Sequence, residues 1–176
     1  MKTFTKVPHD FATLNSQSET SNILFAQRIV DKAHTVPTHW HVFFEFELII
    51  EGSATHIINN ETYELQPGSA YIMTLCDYHS ITPHSNLKIL NLSFTYGYLD
   101  GELEDLLYNH VGGFHCSFDG EMLNSVCDVF KKGINIDIST PHCEILLKCF
   151  AQELIIYMLK TQSKLYLMPL LRSYNR

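Results

Sequence analysis

Apolar residues are distributed differently in the two parts of the chain. From about residue 21 to 95, apolar and polar positions alternate in short runs rich in β-branched and aromatic residues, and turn-forming residues recur between the runs. Short, evenly spaced runs of this kind predict the antiparallel strands of a sandwich or barrel. After Tyr98 the apolar residues recur every three to four positions, which is the period of amphipathic helices. The pattern therefore predicts a mainly β fold followed by C-terminal helices.

Two segments give the most specific strand predictions. Residues 55–58 and 61–65 flank Asn59 and Asn60, and asparagine tolerates the positive φ that a tight hairpin turn requires. We therefore expect a β-hairpin over these residues. In residues 88–95 apolar and polar positions alternate strictly, which predicts a strand with one buried and one exposed face. The face expected to be buried carries Leu90, Leu92 and Phe94.

Three helices are predicted after the strands. Asp100 and Asp119 stand where the N-caps of the first two would be, and Gly133 is expected just beyond the end of the second. The third helix has the clearest start, with Thr140 as N-cap and Pro141 at the first helical position, and it extends to about Lys160. The expected apolar stripe of the first helix consists of Leu99, Leu103, Leu106 and Leu107.

The third helix carries more apolar surface than one barrel can cover. One stripe, expected to pack on the barrel, consists of Leu147, Phe150, Leu154 and Met158. A second stripe, expected to face a partner, consists of Ile145, Cys149, Ile156 and Leu159, although the two stripes could be exchanged. A monomer rarely leaves an apolar patch of that size exposed, and two-fold symmetry is the commonest way to cover one. We therefore expect a homodimer.

Composition and charge exclude some function classes. The chain has 176 residues, of which 45% are apolar, enough for one domain with a sizeable core. Its net charge is −7, whereas proteins that bind phosphate backbones have a basic surface, so we expect no nucleic-acid binding by this chain itself. The five cysteines follow no CxxC spacing, and neither a signal peptide nor a membrane-spanning segment is readable. These features predict reduced thiols and a cytoplasmic protein without a membrane partner.

Candidate chemistry is concentrated in residues 39–45, which read HWHVFFE. On a strand, His39, His41 and Glu45 point to the same side, and His79 on another predicted strand could complete the set. Two imidazoles and a carboxylate on one side of a sheet are typical of sites that hold Fe, Mn, Ni or Zn with open coordination positions. Such a network can also be satisfied by hydrogen bonds alone, without a metal. Both interpretations stay open.

Other polar and aromatic residues have less specific patterns. Glu47 shares the parity of Glu45, so it is either a second buried carboxylate, which needs a partner, or a residue turned outward by a bulge. Trp40 and Tyr78 flank the histidines and are expected to belong to the core or the rim of the barrel rather than to a stacking platform. A zinc cluster is not expected, because no pair among the candidate ligands has zinc-finger spacing. Those candidates are His110, His115, Cys116, His142 and Cys143.

The spacing of these residues resembles the first cupin motif, G-x5-HxH-x3,4-E-x6-G. It is matched at His39, His41, Glu45 and Gly52, while Ala33 replaces the leading glycine. The second motif, G-x5-PxG-x2-H-x3-N, is matched at Gly68 and His79, and its other positions hold Thr74, Cys76 and Pro83. The resemblance implies a cupin-type double-stranded β-helix, a jelly-roll barrel. All four positions that hold metal in metallo-cupins are present, at His39, His41, Glu45 and His79.

More specifically, the chain from about residue 20 to 165 resembles the sensor domain of AraC-type bacterial transcription regulators, in which the barrel binds an effector and the helices dimerise. The divisions that the resemblance implies are an N-terminal arm (1–20), a cupin barrel (21–98), a helical dimerisation segment (99–165) and the start of a linker (166–176). The linker would lead to a DNA-binding domain that is absent from this chain. The expected partners are a small-molecule effector and a second copy of the chain, with DNA contacted only through the missing domain.

The resemblance implies an effector pocket inside the barrel. Its candidate residues are His39, His41, Phe43, Glu45 and His79, with Arg28 as an anchor for an acidic or sugar ligand. This interpretation includes no catalytic residue and no cofactor, apart from the alternative of a divalent transition metal on His39, His41, Glu45 and His79. The rival hypothesis is a small metallo-cupin enzyme, a dioxygenase or isomerase, that uses the same four residues on Fe or Mn.

Overall fold

The computed structural model describes residues 8–9, 22–108 and 114–173, and the side chains of 22–108 and 114–161. The strands in these segments are β1 (Pro8–His9), β2 (Ile23–Val30), β3 (Val36–His41), β4 (Phe44–Glu51), β5 (Ala54–Ile58), β6 (Glu61–Leu65), β7 (Ser69–Met73), β8 (Tyr78–Pro83), β9 (Leu87–Phe94) and β10 (Phe114–Ser117). The helices are α1 (Gly101–Tyr108), α2 (Gly120–Ile134) and α3 (Cys143–Ser173).

The described strands form two five-stranded sheets that face each other. The first sheet has the order β1-β3-β8-β5-β6, and the second has the order β10-β7-β4-β9-β2. The pairs are antiparallel except for β1 with β3. Helices α2 and α3 cover the outer face of the second sheet, where they share one apolar core with it. The prediction of a mainly β fold, with a cupin-type barrel followed by helices, is confirmed.

The predicted hairpin is also confirmed. Strands β5 and β6 pair antiparallel, with Ile58 opposite Glu61. The turn residues Asn59 and Asn60 have φ values of 49° and 72°. Two consecutive positive φ values are typical of the type I′ turn, whose twist matches that of the flanking strands.

Strand β9 corrects the prediction of a half-exposed strand. Asn91 and Ser93 are 2% and 0% exposed, so they are as deeply buried as the apolar residues that alternate with them. The reason is that the second sheet is the middle layer of three, with helices on one face and the first sheet on the other. The polar side chains of β9 therefore lie in the interior of the barrel.

The first two helices begin where the sequence predicts. Oδ1 of Asp100 accepts a hydrogen bond from the Glu102 N–H at 3.2 Å, which caps α1. Asp119 takes the N-cap position of α2 without making a side-chain cap bond. The predicted stripe of α1 is too wide, because Leu106 is 40% exposed while Leu107 is fully buried. Only the side of α1 that carries Leu107 faces the core.

Gly133 lies inside α2 and not beyond its end, which corrects the prediction. The helix continues to Ile134, and Asn135 takes the C-cap position. A Cβ on residue 133 would lie 2.4 Å from Cδ1 of Phe25, so a side chain does not fit there. Phe25 also packs on Phe130, with ring centroids 6.0 Å apart. The glycine therefore allows α2 to approach β2 closely.

The start of α3 differs from the prediction by two residues. The helix begins at Cys143 rather than at Pro141, because His142 has a φ of 66°, which a right-handed helix does not contain. Thr140 is therefore not the N-cap. Its carbonyl accepts a hydrogen bond from the Cys143 N–H at 3.2 Å, within the turn that precedes the helix.

The end of α3 also differs, since the helix continues to Ser173, past the predicted end near Lys160. It therefore includes residues 166–173, for which the resemblance implies the start of a linker. The linker and the other domain boundaries stay predictions, and the predicted arm lies outside the described residues except for Pro8–His9. Within the described segments, no helix is long and apolar enough to cross a membrane.

Helix α3 places one of its two predicted stripes in the core. That stripe is buried or half-buried against the second sheet and α2, and it consists of Leu147, Phe150, Leu154 and Met158. In the other stripe Ile145 and Ile156 are 59% and 42% exposed, Cys149 is exposed and Leu159 is half-buried. The predicted orientation of the helix is confirmed, and dimerisation through the exposed stripe stays a prediction.

Candidate metal and ligand site

The interior of the barrel brings the predicted histidines and glutamate together. His39 and His41 lie on β3, and His79 lies on β8. Glu45 lies on β4 of the opposite sheet, so the prediction that it shares one strand with the two histidines is wrong, and it reaches them across the barrel. Antiparallel pairing places His39 directly across from His79. All four side chains are buried, and none is more than 5% exposed. We call these four residues the His/Glu cluster.

Short contacts connect the members of the His/Glu cluster. Nε2 of His79 lies 3.1 Å from Nε2 of His39 and 3.0 Å from Nε2 of His41. Oε2 of Glu45 lies 3.0 Å from Nε2 of His41 and 3.8 Å from Nε2 of His79. The candidate ligand atoms of the three histidines all lie within 4.8 Å of one another.

The chemistry and spacing of the His/Glu cluster fit a divalent transition metal. In a tetrahedral site with bonds of about 2.0–2.1 Å, neighbouring ligand atoms lie about 3.3–3.4 Å apart, within the range of these contacts. Nδ1 of His39 lies 2.8 Å from the Pro37 carbonyl and must donate to it, so Nε2 of the neutral ring presents a lone pair to the cluster. Burial lowers the pKa of His79 well below its ordinary value, which keeps this imidazole neutral, as a metal ligand has to be.

A second carboxylate lies beside the cluster. Glu47 is 2% exposed and points inward, so the alternative of an outward-turning bulge is wrong. Nη1 of Arg28 lies 3.2 Å from Oε1 of Glu45 and 3.1 Å from Oε1 of Glu47. Asn91 donates to both carboxylates through Nδ2, and the Tyr71 hydroxyl donates to Glu47. Partners of this kind are what two buried carboxylates require.

The two carboxylates have opposite pKa shifts. Burial raises the pKa of Glu47 to about 8, and the charge of Glu45 acts in the same direction, against the opposing effects of Arg28 and Asn91. Burial also tends to raise the pKa of Glu45, but the electrostatic attraction and hydrogen bond of His41, with the charge of Arg28, lower it well below its ordinary value. Glu45 is therefore the carboxylate that is ionised at neutral pH, the form that ligates metal.

Sequence reasoning missed His56 and Tyr71. His56 is fully buried, and its Nε2 lies 2.8 Å from Nδ1 of His79. Its ring packs on Tyr71, with centroids 4.2 Å apart. Burial lowers the pKa of His56 to about 3, so this imidazole is neutral. The strand alternation contained a signal for it, because His56 shares the parity of the buried residues Ala54 and Ile58.

A small cavity adjoins the His/Glu cluster. Its volume is about 30 Å³, roughly what one water molecule occupies in the liquid. Its wall consists of the cluster together with Arg28, Glu47, Val30, Val36, Ile81 and Ile89. Phe43 is not part of this wall; it is fully buried and packs on the His41 ring, with centroids 4.6 Å apart. The space suits a metal ion or a water molecule, and it does not fit a sugar or an organic acid.

The other candidates lie away from the cluster. Trp40 and Tyr78 pair across β3 and β8 and are half-buried along a surface groove, which places them at the rim of the barrel. The described residues contain one group with metal-binding geometry, the three histidines of the His/Glu cluster. Of the rejected zinc ligands, His115 and Cys116 lie on β10, His142 and Cys143 lie at the start of α3, and His110 lies outside the described residues.

Solved structures of several proteins resemble part of the barrel. A predicted oxalate decarboxylase from Thermotoga maritima is 24% identical over 41% of this chain and 65% of its own, with a TM-score of 0.38. A cupin protein from Bacteroides fragilis is 20% identical over 50% of this chain and 78% of its own, with a TM-score of 0.42. Salicylate 1,2-dioxygenase from Pseudaminobacter salicylatoxidans is 15% identical over 42% of this chain and 21% of its own, with a TM-score of 0.39. The matched region thus spans less than two thirds of the decarboxylase and about a fifth of the dioxygenase.

The family comparison matches a larger part of the chain. The family described as "AraC-like ligand binding domain" matches residues 24–154, from the start of β2 into α3. None of the curated proteins compared with the chain matches it.

Proposed function

We infer that this chain, which belongs to the family of AraC-like ligand-binding domains, is the ligand-sensing and dimerisation domain of a bacterial transcription regulator. The observation that carries the proposal is the His/Glu cluster, which is buried inside the barrel beside a water-sized cavity. A sensing domain needs a site whose occupation changes the arrangement of the domain. The cluster and its second carboxylate hold the charged groups that a ligand would rearrange.

The ligand that we propose for this site is a divalent transition metal ion. His39, His41, His79 and Glu45 would hold it, and a bound ion would supply positive charge inside the barrel. Glu45 now shares Arg28 with Glu47, at 3.2 Å and 3.1 Å. Because Glu45 already contacts His41 through its other oxygen, a bound ion would compete with Arg28 for the negative charge of Glu45 and so weaken the pairing of Glu45 with Arg28. The arrangement of this ion pair would then report whether the site is filled.

Strand β2 connects this ion pair to the helices. Arg28 faces the interior and Phe25 faces the helices, because residues three apart on a strand point to opposite sides. Phe25 packs on Phe130 and occupies the space over Gly133 of α2. A displacement of Arg28 would therefore move a strand against which α2 packs. Such a movement would bias the helices between two arrangements, which is how a sensing domain can act on an attached domain.

A metal-dependent enzyme is the second candidate function, because three imidazoles and a carboxylate leave coordination positions open for a substrate. The size of the cavity argues against it, since about 30 Å³ is far below the ~300–1,000 Å³ of pockets that bind small organic molecules. The small volume of the cavity argues in the same way against an organic effector inside the barrel. Such an effector would have to bind at the mouth, where the side chain of Arg28 is 37% exposed.

Titration of the purified protein with Co²⁺ tests the metal site, because its visible absorption reports the coordination number. We expect one equivalent per chain, lost in His41→Ala. The matched control is His84→Ala, which removes a histidine whose side chain is 49% exposed on the surface and should leave Co²⁺ binding unchanged. A wild-type protein that does not bind Co²⁺, or a His41→Ala protein that binds it equally well, would contradict the proposal.

Light scattering tests the dimerisation part of the proposal. We expect about twice the chain mass of 20.3 kDa for the wild type, and a folded monomer for Ile156→Glu, because the dimer would bury an unpaired charge at this position. Ile138→Glu is the matched control, since Ile138 is 74% exposed outside the stripe of α3 and its substitution should leave the dimer intact. A wild type that is monomeric at high micromolar concentration would contradict the proposal.

A further inference from the structure

His56 touches the His/Glu cluster without belonging to it. Its Nε2 lies 2.8 Å from Nδ1 of His79, the ring nitrogen that is not directed at His39 and His41. Its own Nδ1 is buried and has no hydrogen-bond partner among the described residues. Its ring packs on Tyr71, with centroids 4.2 Å apart, which restricts its orientation. A buried nitrogen without a hydrogen-bond partner is unfavourable, so the presence of a histidine at this position requires an explanation.

The contact between His56 and His79 couples the tautomers of the two rings. A neutral imidazole carries one proton, and two nitrogens at 2.8 Å need a proton on one and a lone pair on the other. In the first arrangement His56 donates, so His79 carries its own proton on Nε2, where Nε2 of His39 at 3.1 Å can accept it. In the second arrangement, His79 donates from its Nδ1 to Nε2 of His56, and the lone pair on Nε2 of His79 faces the cluster. The single proton of His56 is then on its own Nδ1, which has no partner among the described residues.

We propose that His56 is a positioning residue that accepts the Nδ1 proton of His79 and thereby fixes His79 in the tautomer that a metal requires. This inference rests on the metal site of the proposed function. Without a metal, the first arrangement satisfies more nitrogens. With a metal, Nε2 of His79 has to offer its lone pair, and a partner for the opposite ring nitrogen then stabilises the ligand. The two rings exchange tautomers together, and the number of protons on the protein stays the same.

Three variants separate this role from simple packing. His56→Phe keeps a ring against Tyr71 but cannot accept a hydrogen bond from His79. His56→Gln provides an amide oxygen that can accept this hydrogen bond. His84→Phe removes an exposed histidine and serves as the matched control. We expect the Co²⁺ affinity to fall about 10- to 100-fold in His56→Phe, to recover most of this loss in His56→Gln, and to stay unchanged in His84→Phe.

Correlation spectra of the histidine ¹⁵N and ¹H nuclei read the tautomers in the wild type and do not depend on the folding of any variant. We expect His79 to carry its proton on Nε2 in the metal-free protein and on Nδ1 after one equivalent of Zn²⁺. Two results would overturn this inference without contradicting the metal site. One is an equal Co²⁺ affinity for the wild type and His56→Phe, and the other is a proton that stays on Nε2 of His79 with Zn²⁺ bound. A wild type that binds no Co²⁺ would overturn the metal site and this inference together.

Discussion

The second sheet buries both of its faces, and only one of them carries buried ionisable groups beside its apolar residues. The outer face, under the helices, carries Phe44, Phe46, Leu48, Leu90, Leu92 and Phe94. The inner face, toward the first sheet, carries Glu45, Glu47, Asn91 and Ser93, with Arg28 on the neighbouring strand β2. The remainder of this face is apolar and includes Ile49, Met73 and Ile89. Strict alternation along β4 and β9 thus separates an apolar interface from an ionic site by the thickness of one sheet.

This difference indicates what each face contributes. Removing apolar surface from water stabilises the fold in rough proportion to the area buried, and the outer face does this against α2 and α3. Burying two carboxylates and an arginine costs free energy, and excellent pairing is needed to offset that cost. The ionic part of the inner face is therefore a weak source of stability, while its apolar part stabilises the fold by packing on the first sheet. Its ionisable groups with shifted pKa values make it the functional face.

Removing one aromatic ring from the outer face should have the largest effect on stability. Phe46 is fully buried and packs edge-to-face on Phe130, with centroids 5.6 Å apart. We expect Phe46→Ala to lower the free energy of unfolding by about 3–5 kcal/mol, as measured by urea denaturation. Tyr96→Ala, at a position that is 64% exposed, should change it by less than about 0.5 kcal/mol. Similar effects of the two variants would mean that the outer face is not the main core.

Removing the cation from the inner face should have a smaller effect that depends on Glu47. Arg28 is partly exposed, so we expect Arg28→Met to lower the free energy of unfolding by about 2–3 kcal/mol, less than for a fully buried pair. Glu47→Gln should lower the free energy of unfolding less in the Arg28→Met background than in the wild type, because the contact between Arg28 and Glu47 is already absent there. A double-mutant cycle measures this coupling, expected at about 0.5–3 kcal/mol. Additive effects would contradict the ionic network.

The close approach of α2 to strand β2 at Gly133 should be sensitive to a single methyl group. Alanine has a higher helix propensity than glycine, by about 1 kcal/mol, but a Cβ at Gly133 would lie 2.4 Å from Phe25. We expect Gly133→Ala to destabilise the protein by about 1–2 kcal/mol through overpacking. A Cβ at Gly101 in α1 would meet no atom of the described residues within 4 Å, so Gly101→Ala should be neutral or stabilising. A stabilised Gly133→Ala protein would show that α2 does not pack tightly on β2.

Strand parity predicts much of this arrangement, and its limits have a physical origin. The spacing of His39 and His41 identifies two members of the cluster, because side chains two residues apart share a face of a strand. Glu45 joins them from the facing sheet, since the chain passes from β3 to β4 after His41, and parity within one strand does not explain its position. The same parity rule applies to His56. The sequence of the strand does not indicate that the ring of His56 will contact another histidine, because this contact depends on the pairing of β5 with β8.

The alternation of β9 shows a second limit. Asn91 and Ser93 alternate with apolar residues, and this pattern alone is typical of a strand with a solvated face. Their burial results from the first sheet, whose position depends on pairings between distant segments of the chain.

The start of α3 shows a third limit. Thr140 and Pro141 form a strong helix-start signal in the sequence. The helix begins later because the turn that precedes it places His142 in the left-handed backbone region.

The central claim is that a ligand on the inner face of the second sheet changes the helices on its outer face. Hydrogen–deuterium exchange of the whole chain, with and without one equivalent of Zn²⁺, tests it most directly. We predict slower exchange in β4 and β9 and also in α2, residues 120–134, and no change in any of these segments in His41→Ala. Slower exchange confined to the strands that carry the His/Glu cluster, with α2 unchanged in the wild type, would contradict the claim.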